Sequence, residues 1–257
     1  MPDYTTLTYR REDHVGLLTL NRPAKLNAVN DAMLGELEAF WAERRHDLET
    51  RVIILNGNGE KGFCAGLDIQ EAMPRAMTND MLGFYRFQVR LSRLLLAMRQ
   101  APQVIIAAIH GSAVGAGFSF SLASDLRVIS PDARFGAAYI NIGLGGADMG
   151  SSYFLPRLIG AGRAYEFLLT GDFMDAAAAQ ALGLVSRVVE RDQLLPTARE
   201  LAGRMLRKNP LGLRLTKEAI NCNLDAAGLE QALNVEDRNQ AMCFSTLRHE
   251  GQSPDTR

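Results

Sequence analysis

Residues 111–125 read GSAVGAGFSFSLASD, directly after the apolar run VIIAAI at 104–109 and His110. A short, continuous, β-branched run of that kind is a buried strand, the glycine cluster is a turn, and the apolar residues beyond it open a helix. The same order occurs upstream in RVIILNGNGEKGFCAGLDI, where a strand at 51–56 runs into a glycine-punctuated loop and then a helical segment. Strand, glycine turn and helix, used repeatedly, make the fold class α/β.

Working outward, LTYR (7–10) and VGLLTLN (15–21) read as strands joined by the polar REDH, as in a hairpin. Pro23 in NRPAKLNAV halts the second of them, and a helix follows from about residue 30 to 47, with Met33, Leu34, Leu37, Phe40 and Trp41 at helical spacing. Trp41 is expected in the core. A long amphipathic helix over about 80–99 leads to VIIAAI, and AAAAQAL at 176–182 is helix-forming alanine. After VSRVV (185–189) the periodicity becomes helical throughout, with helices over about 191–207, 211–223 and 228–244. The expected organisation is therefore a core over residues 1–190 and a helical region over 191–257.

A chain of 257 residues that is 47% hydrophobic can bury a full core. Its 28 basic and 29 acidic residues give a net charge of −1, so it carries no electrostatic footprint of nucleic-acid or membrane-surface binding. No apolar run approaches the roughly 20 residues of a membrane span. Cys64, Cys222 and Cys243 lack ligand spacing, and no signal-like segment precedes them, so the expected compartment is the reducing cytoplasm. Four scattered histidines give a metal site little support.

FCAGLDI (63–69) and HGSAVGAGF (110–118) each follow a strand and open a helix, so each offers N–H groups with no intrahelical partner. Two such groups converging on one oxygen form an oxyanion hole. A phosphate-binding loop is excluded, because neither GxxxxGK[ST] nor a clean GxGxxG is present. Cys64 stands beside the first turn without an evident histidine partner, so thiolate chemistry is not expected there.

NRPAKLNA, FCAGLDI, HGSAVGAGFSFSLASDLRV and FLLTGDFMDAAAAQALGLVSRVV, in this order over most of residues 5–224, resemble the crotonase superfamily, the enoyl-CoA hydratase/isomerase family. The resemblance implies a spiral of repeated ββα units with a C-terminal helical lobe, assembled as a homotrimer or a dimer of trimers. It implies an acyl-CoA thioester substrate, with coenzyme A bound as part of that substrate and no permanent cofactor. The N–H groups of Leu67 and Ala116 would take the thioester oxygen. Lys25, Leu26, Ala65, Leu67, Asp68 and Ile69 would line the coenzyme A site. Lys25 reads equally as a phosphate partner or a solvated turn lysine, Asp68 also as a helix cap, and Asn27 as a turn residue.

The chain departs from the family pattern at two positions. The hydratase glutamates belong three residues after Ala116 and twenty further on, where this sequence has Ser119 and Tyr139. Neither is a carboxylate, and an unperturbed tyrosine titrates near pH 10. Both remain candidates for placing a water or a substrate hydroxyl. The nearest acid is Asp148, in a loop where dienoyl-CoA isomerases and aromatic dehalogenases carry a working aspartate, once a single-residue insertion is allowed. Asp148 is thus a candidate acid/base or, alternatively, a cap of the helix that follows. The chain also ends six residues after Gly251, leaving Phe244 or Arg248 to stand in for the further helix that often covers coenzyme A.

The expected function is an acyl-CoA enzyme working by water addition or a double-bond shift through a stabilised enolate. The alternatives are a non-catalytic acyl-CoA-binding member and a thioester hydrolase. The separating feature is whether Asp148 caps its helix.

Overall fold

The computed structural model describes residues 4–71 and 80–250, with side chains as far as residue 246. The strands are β1 (Leu7–Glu12), β2 (Val15–Leu20), β3 (Val52–Gly57), β4 (Val104–Ile109), β5 (Ser112–Val114), β6 (Leu126–Ile129), β7 (Arg134–Gly136), β8 (Phe173–Asp175) and β9 (Arg187–Val188). One sheet has the order β1-β2-β3-β4-β6-β9, antiparallel only between β1 and β2, and a small second sheet has the order β5-β7-β8.

The inner strands of the large sheet are buried on both faces, which is why they read as continuous apolar runs. Ile53, Leu55, Ile105, Ala107, Ile109 and Ile129 join the main core on one face. Val52, Ile54, Val104, Ile106, Ala108 and Val128 point the other way, as the two-residue period requires. Burying each such Val, Ile or Leu is worth roughly 1.5–3 kcal/mol. The loops leaving β3 and β4 are therefore anchored on strands buried on both faces.

The helices are α1 (Asp31–Arg44), α2 (Met81–Gln100), α3 (Ala116–Ala123), α4 (Ser151–Ile159), α5 (Ala161–Thr170), α6 (Ala176–Ala181), α7 (Leu194–Leu206), α8 (Pro210–Asn223) and α9 (Leu229–Glu250). Asn30 caps α1 by accepting from the Met33 N–H at 3.0 Å, and Trp41 is buried as expected. Asn209 caps α8, with Pro210 in the first turn where its missing N–H costs nothing. Within the helical region after residue 190, α7 lays Leu194, Ala198, Leu201 and Ala202 on the second face of the large sheet, while α8 and α9 pack on each other.

One local expectation needed adjustment. β1 runs on through Glu12, so the REDH turn shrinks to Asp13 and His14, with Asp13 at φ 51°. Within VSRVV, Arg187 and Val188 form β9 and pair with Val128 and Ile129 of β6. Among the described residues, no helix is long and apolar enough to cross a membrane.

Candidate active site

The loop after β3 and the strand β5 lie side by side. Phe63 and Cys64 give their N–H groups to the carbonyls of His110 and Ser112 at 2.9 and 3.0 Å, and Val114 gives its own to Cys64 at 2.9 Å. Gly66 (φ 97°) and Gly115 (φ 53°) are thereby pressed together. A Cβ on Gly66 would stand 3.0 Å from the Val114 carbonyl oxygen and 3.6 Å from the Ala116 nitrogen, and one on Gly115 only 3.4 Å from Gly66 Cα. Both backbones need a positive φ, and at Gly66 a side chain would also crowd the Val114 carbonyl, which is the physical reason for glycine at each.

Among the described residues, the N–H group of the residue after each glycine has no partner. Val29 accepts nothing from Leu67: it bonds instead to the Gly66 carbonyl and the Asp68 N–H, at 2.8 and 2.9 Å, which turns the Leu67 N–H away from that ladder. Ala116 is the first residue of α3, where an amide has no intrahelical acceptor. Among the described residues, neither N–H is hydrogen-bonded. The structure thus brings Leu67 and Ala116 to adjacent turns, each with a free donor.

Ser119 and Tyr139 meet beneath them. Ser119, fully buried on α3, has its Oγ 3.2 Å from the Tyr139 hydroxyl. The Tyr139 ring packs 3.6 Å from where a Gly115 Cβ would be. Burial pushes the Tyr139 phenol up, the charges of nearby Asp148 and Cys64 add to this, and the Ser119 hydrogen bond opposes them. Tyr139 is therefore a protonated phenol at neutral pH, able to donate or accept a hydrogen bond but not to act as a base.

Asp148 lies in the loop before α4, half-buried and near enough to Tyr139 to influence it. Its Oδ1 accepts from Gln88 Nε2 at 2.5 Å and from the Met149 N–H at 2.7 Å. The N-cap position of α4 belongs to Gly150, with no side-chain capping bond, so the Asp148 carboxylate does not serve as the helix cap. It is the backbone of Asp148 that ties to the helix, through its N–H to Ser151 Oγ and its carbonyl to the Ser151 N–H.

The coenzyme A candidates gather along one ridge. The Ala65 N–H donates to the Leu26 carbonyl at 2.9 Å, which holds the 22–29 turn against the first glycine loop. Leu26 and Asn27 are both left-handed (φ 51° and 55°), and Asn27 is more than a turn residue: its amide spans the Asn58, Gly62 and Phe63 carbonyls. Lys25 Nζ rests on Gln70 Oε1 at 2.9 Å on the surface, and Ile69 is 48% exposed. The Asp68 carboxylate is buried against Arg22 at 3.0 Å, so that side chain is already engaged. Glu71 shares the same arginine at 3.2 Å. Phe244 is exposed on α9, and the side chain of Arg248 lies outside the described residues.

Two contributors were absent from the sequence reading, Arg22 and Gln88. Gln88 stands three and seven residues before the buried Leu91 and Leu95, on the inward face of α2. A neutral polar residue at that register was the available signal. Cys64 is fully buried and its thiol is pushed up to about 12 by burial, which agrees with excluding it as a nucleophile. Alkylation of the native protein at about pH 8 is therefore expected to label the exposed Cys222 and spare Cys64, read by peptide mass spectrometry. Labelling of Cys64 at a rate like that of Cys222 would contradict its burial.

A family model described as enoyl-CoA hydratase/isomerase matches residues 10–254. The short-chain-enoyl-CoA hydratase of Clostridium acetobutylicum is 34% identical over 236 residues, covering 92% of this chain and 88% of that protein. The crystal structure of an enoyl-CoA hydratase from Bacillus anthracis superposes with a TM-score of 0.87 at 34% identity, covering 92% of this chain and 90% of the other. That of a monofunctional enoyl-CoA isomerase from M. smegmatis gives 0.75 at 38% identity, covering 89% and 98%.

Proposed function

The chain belongs to the enoyl-CoA hydratase/isomerase family, with the crotonase fold, and from that premise we propose that it shifts the double bond of an enoyl-CoA thioester using a single carboxylate, Asp148. The observation that carries this reading is the grouping of one uncapped carboxylate with a neutral Ser119–Tyr139 pair, beside two free backbone donors.

The chemistry follows from those groups. The thioester oxygen accepts from the N–H groups of Leu67 and Ala116, which draws electron density from the acyl chain. Asp148 takes a proton from one carbon, that C–H pair becomes a new C=C bond, and negative charge collects on the held oxygen as an enolate. The same carboxylic acid returns its proton to another carbon, the enolate collapses, and the old double bond has moved. Proton and electrons balance with no second substrate. Hydration asks for more, since water must lose one proton while carbon gains another, and the Ser119–Tyr139 pair supplies no second carboxylate. Ser119 and Tyr139 instead wall the pocket and offer a hydroxyl to orient the chain.

Coenzyme A would lie along the 22–29 and 65–69 ridge, with Lys25 reaching a phosphate and the backbone of Ala65 to Ile69 facing the pantetheine and adenine. The active unit in this reading is a homotrimer or pair of trimers.

Mixing the protein with 2-enoyl and 3-enoyl thioesters and following both product mass and the absorbance of the conjugated thioester tests the proposal. Interconversion at constant mass is expected. A product heavier by one water would establish hydration, release of free thiol would establish hydrolysis, and thioester binding without turnover would leave a binding protein. Ala116→Pro tests the donor itself: proline suits a first helical position, and Gly115 at φ 53°, ψ −118° can precede it. The ring deletes the N–H and intrudes on the oxygen's place, so kcat/KM is expected to fall by about 10²–10³ with the fold retained. An unaltered kcat/KM would remove Ala116 from the oxyanion hole.

A further inference from the structure

We infer that Gln88 is a positioning residue for Asp148, selecting which carboxylate oxygen handles the proton; the inference rests on the acid/base reading of Asp148. The contact joins two segments 60 residues apart, from α2 to the loop before α4, through Gln88 Nε2 and Asp148 Oδ1 at 2.5 Å. A second donor, the Met149 N–H, reaches the same oxygen at 2.7 Å. Met149 itself is left-handed, φ 43°, a conformation few residues with a side chain adopt. Met149 is buried at 3% exposure, so packing maintains the turn.

With two donors on Oδ1, that oxygen is committed. Oδ2 has no hydrogen-bond partner among the described residues and is the oxygen left to take and return a proton. The choice of amide matters. A lysine or arginine at position 88 would pin Asp148 as an anion and weaken it as a base, and a glutamate would compete for the proton. Glutamine donates firmly and exchanges no proton of its own. Its helix is held in place: Arg90, two residues on, forks onto Glu38 of α1 at 2.9 and 2.7 Å. Among the described residues, Tyr139 is near enough to Asp148 to feel its charge, and burial keeps that phenol protonated.

The test compares wild type, Gln88→Leu, Gln88→Met and Asp148→Asn by kcat and KM on the enoyl thioester, the pH profile of kcat, and the carboxylate titration of ¹³C-aspartate-labelled protein. The Asp148 signal is identified by its absence in Asp148→Asn. Both Gln88 variants are expected to lower kcat about tenfold with KM within about twofold, because a misaimed base slows the chemical step more than binding. The acid limb of the profile and the labelled carboxylate signal are expected to move together to higher pH, since a donor to the charged form has been removed. A limb and a carboxylate signal that stay in place in both variants overturn the positioning role, and so does a loss confined to KM. If Asp148→Asn itself keeps wild-type turnover and limb, the acid/base reading fails and takes this inference with it. That failure is read in Asp148→Asn alone and is therefore distinct from failure of Gln88.

Discussion

Asp148→Asn is expected to lower kcat by about 10²–10⁴ while leaving thioester affinity close to wild type, the range lost when a positioned acid/base is removed. The substitution keeps size and the oxygen that Gln88 and the Met149 N–H can still address, so the loop before α4 should hold its shape. What disappears is the basic Oδ2. The Leu67 and Ala116 donors remain, and they continue to bind and polarise the carbonyl. The expected split is therefore between turnover and binding, measured by steady-state kinetics alongside calorimetric titration of a non-reactive acyl-CoA. Loss of affinity with kcat preserved would mean that Asp148 binds substrate and does not move a proton.

The largest loss of stability is expected far from the site, in Asp125→Ala. Asp125 sits at the end of α3, where its Oδ1 meets Arg99 Nη1 at 3.1 Å and its Oδ2 meets Lys217 Nζ at 2.9 Å and the Ile105 N–H at 2.8 Å. It is the hub that ties α8 to α2 and β4. Lys217 is 7% exposed and also donates to the Gln103 carbonyl at 2.7 Å; Arg99 continues the network to Asn221. Removing the carboxylate strands a buried ammonium. Breaking such a pair from one side costs about 3–5 kcal/mol, nearer 3 here because part of Asp125 still reaches water. The midpoint of thermal unfolding should drop by roughly 6–12 °C.

The deficit has a pH signature. Burial already holds the Lys217 ammonium below the usual lysine range, while Asp125 pulls it back up. Without Asp125, the native lysine holds its proton less tightly than the unfolded chain does, so the native state binds fewer protons and stability rises with pH towards the unfolded lysine value. The gap to wild type should thus narrow in alkaline buffer. Adding Lys217→Met should recover part of the loss at neutral pH, because the stranded charge is gone. An Asp125→Ala protein within about 1 kcal/mol of wild type would show that the network is not structural.

Legibility in the sequence followed contact distance along the chain. α1 was placed within a few residues because Asn30 and the Met33, Leu34, Leu37, Phe40 and Trp41 spacing are local signals. β4 was readable because VIIAAI is buried on both faces. The two glycine turns were recognisable because positive φ and close approach leave few alternatives to glycine. The small sheet of β5, β7 and β8 was not, since three-residue strands are too short to show alternation. Nor could Lys217 be told from a surface lysine of an amphipathic helix: its partner Asp125 is supplied by another part of the chain. The Gln88–Asp148 and Ser119–Tyr139 contacts span 60 and 20 residues, and only the folded loops bring them together. Asp148 could be named from its loop, but whether its carboxylate capped α4 depended on a side-chain direction that spacing does not encode.

The central claim is that two backbone donors and one carboxylate act on the same thioester, and a crystal structure with a bound acyl-CoA analogue measures this directly. The account predicts the thioester oxygen about 2.7–3.1 Å from both the Leu67 and Ala116 nitrogens, with Asp148 Oδ2 facing the acyl carbons and Oδ1 still held by Gln88. A carbonyl bound away from those two amides, or an Asp148 turned from the acyl chain, would contradict it.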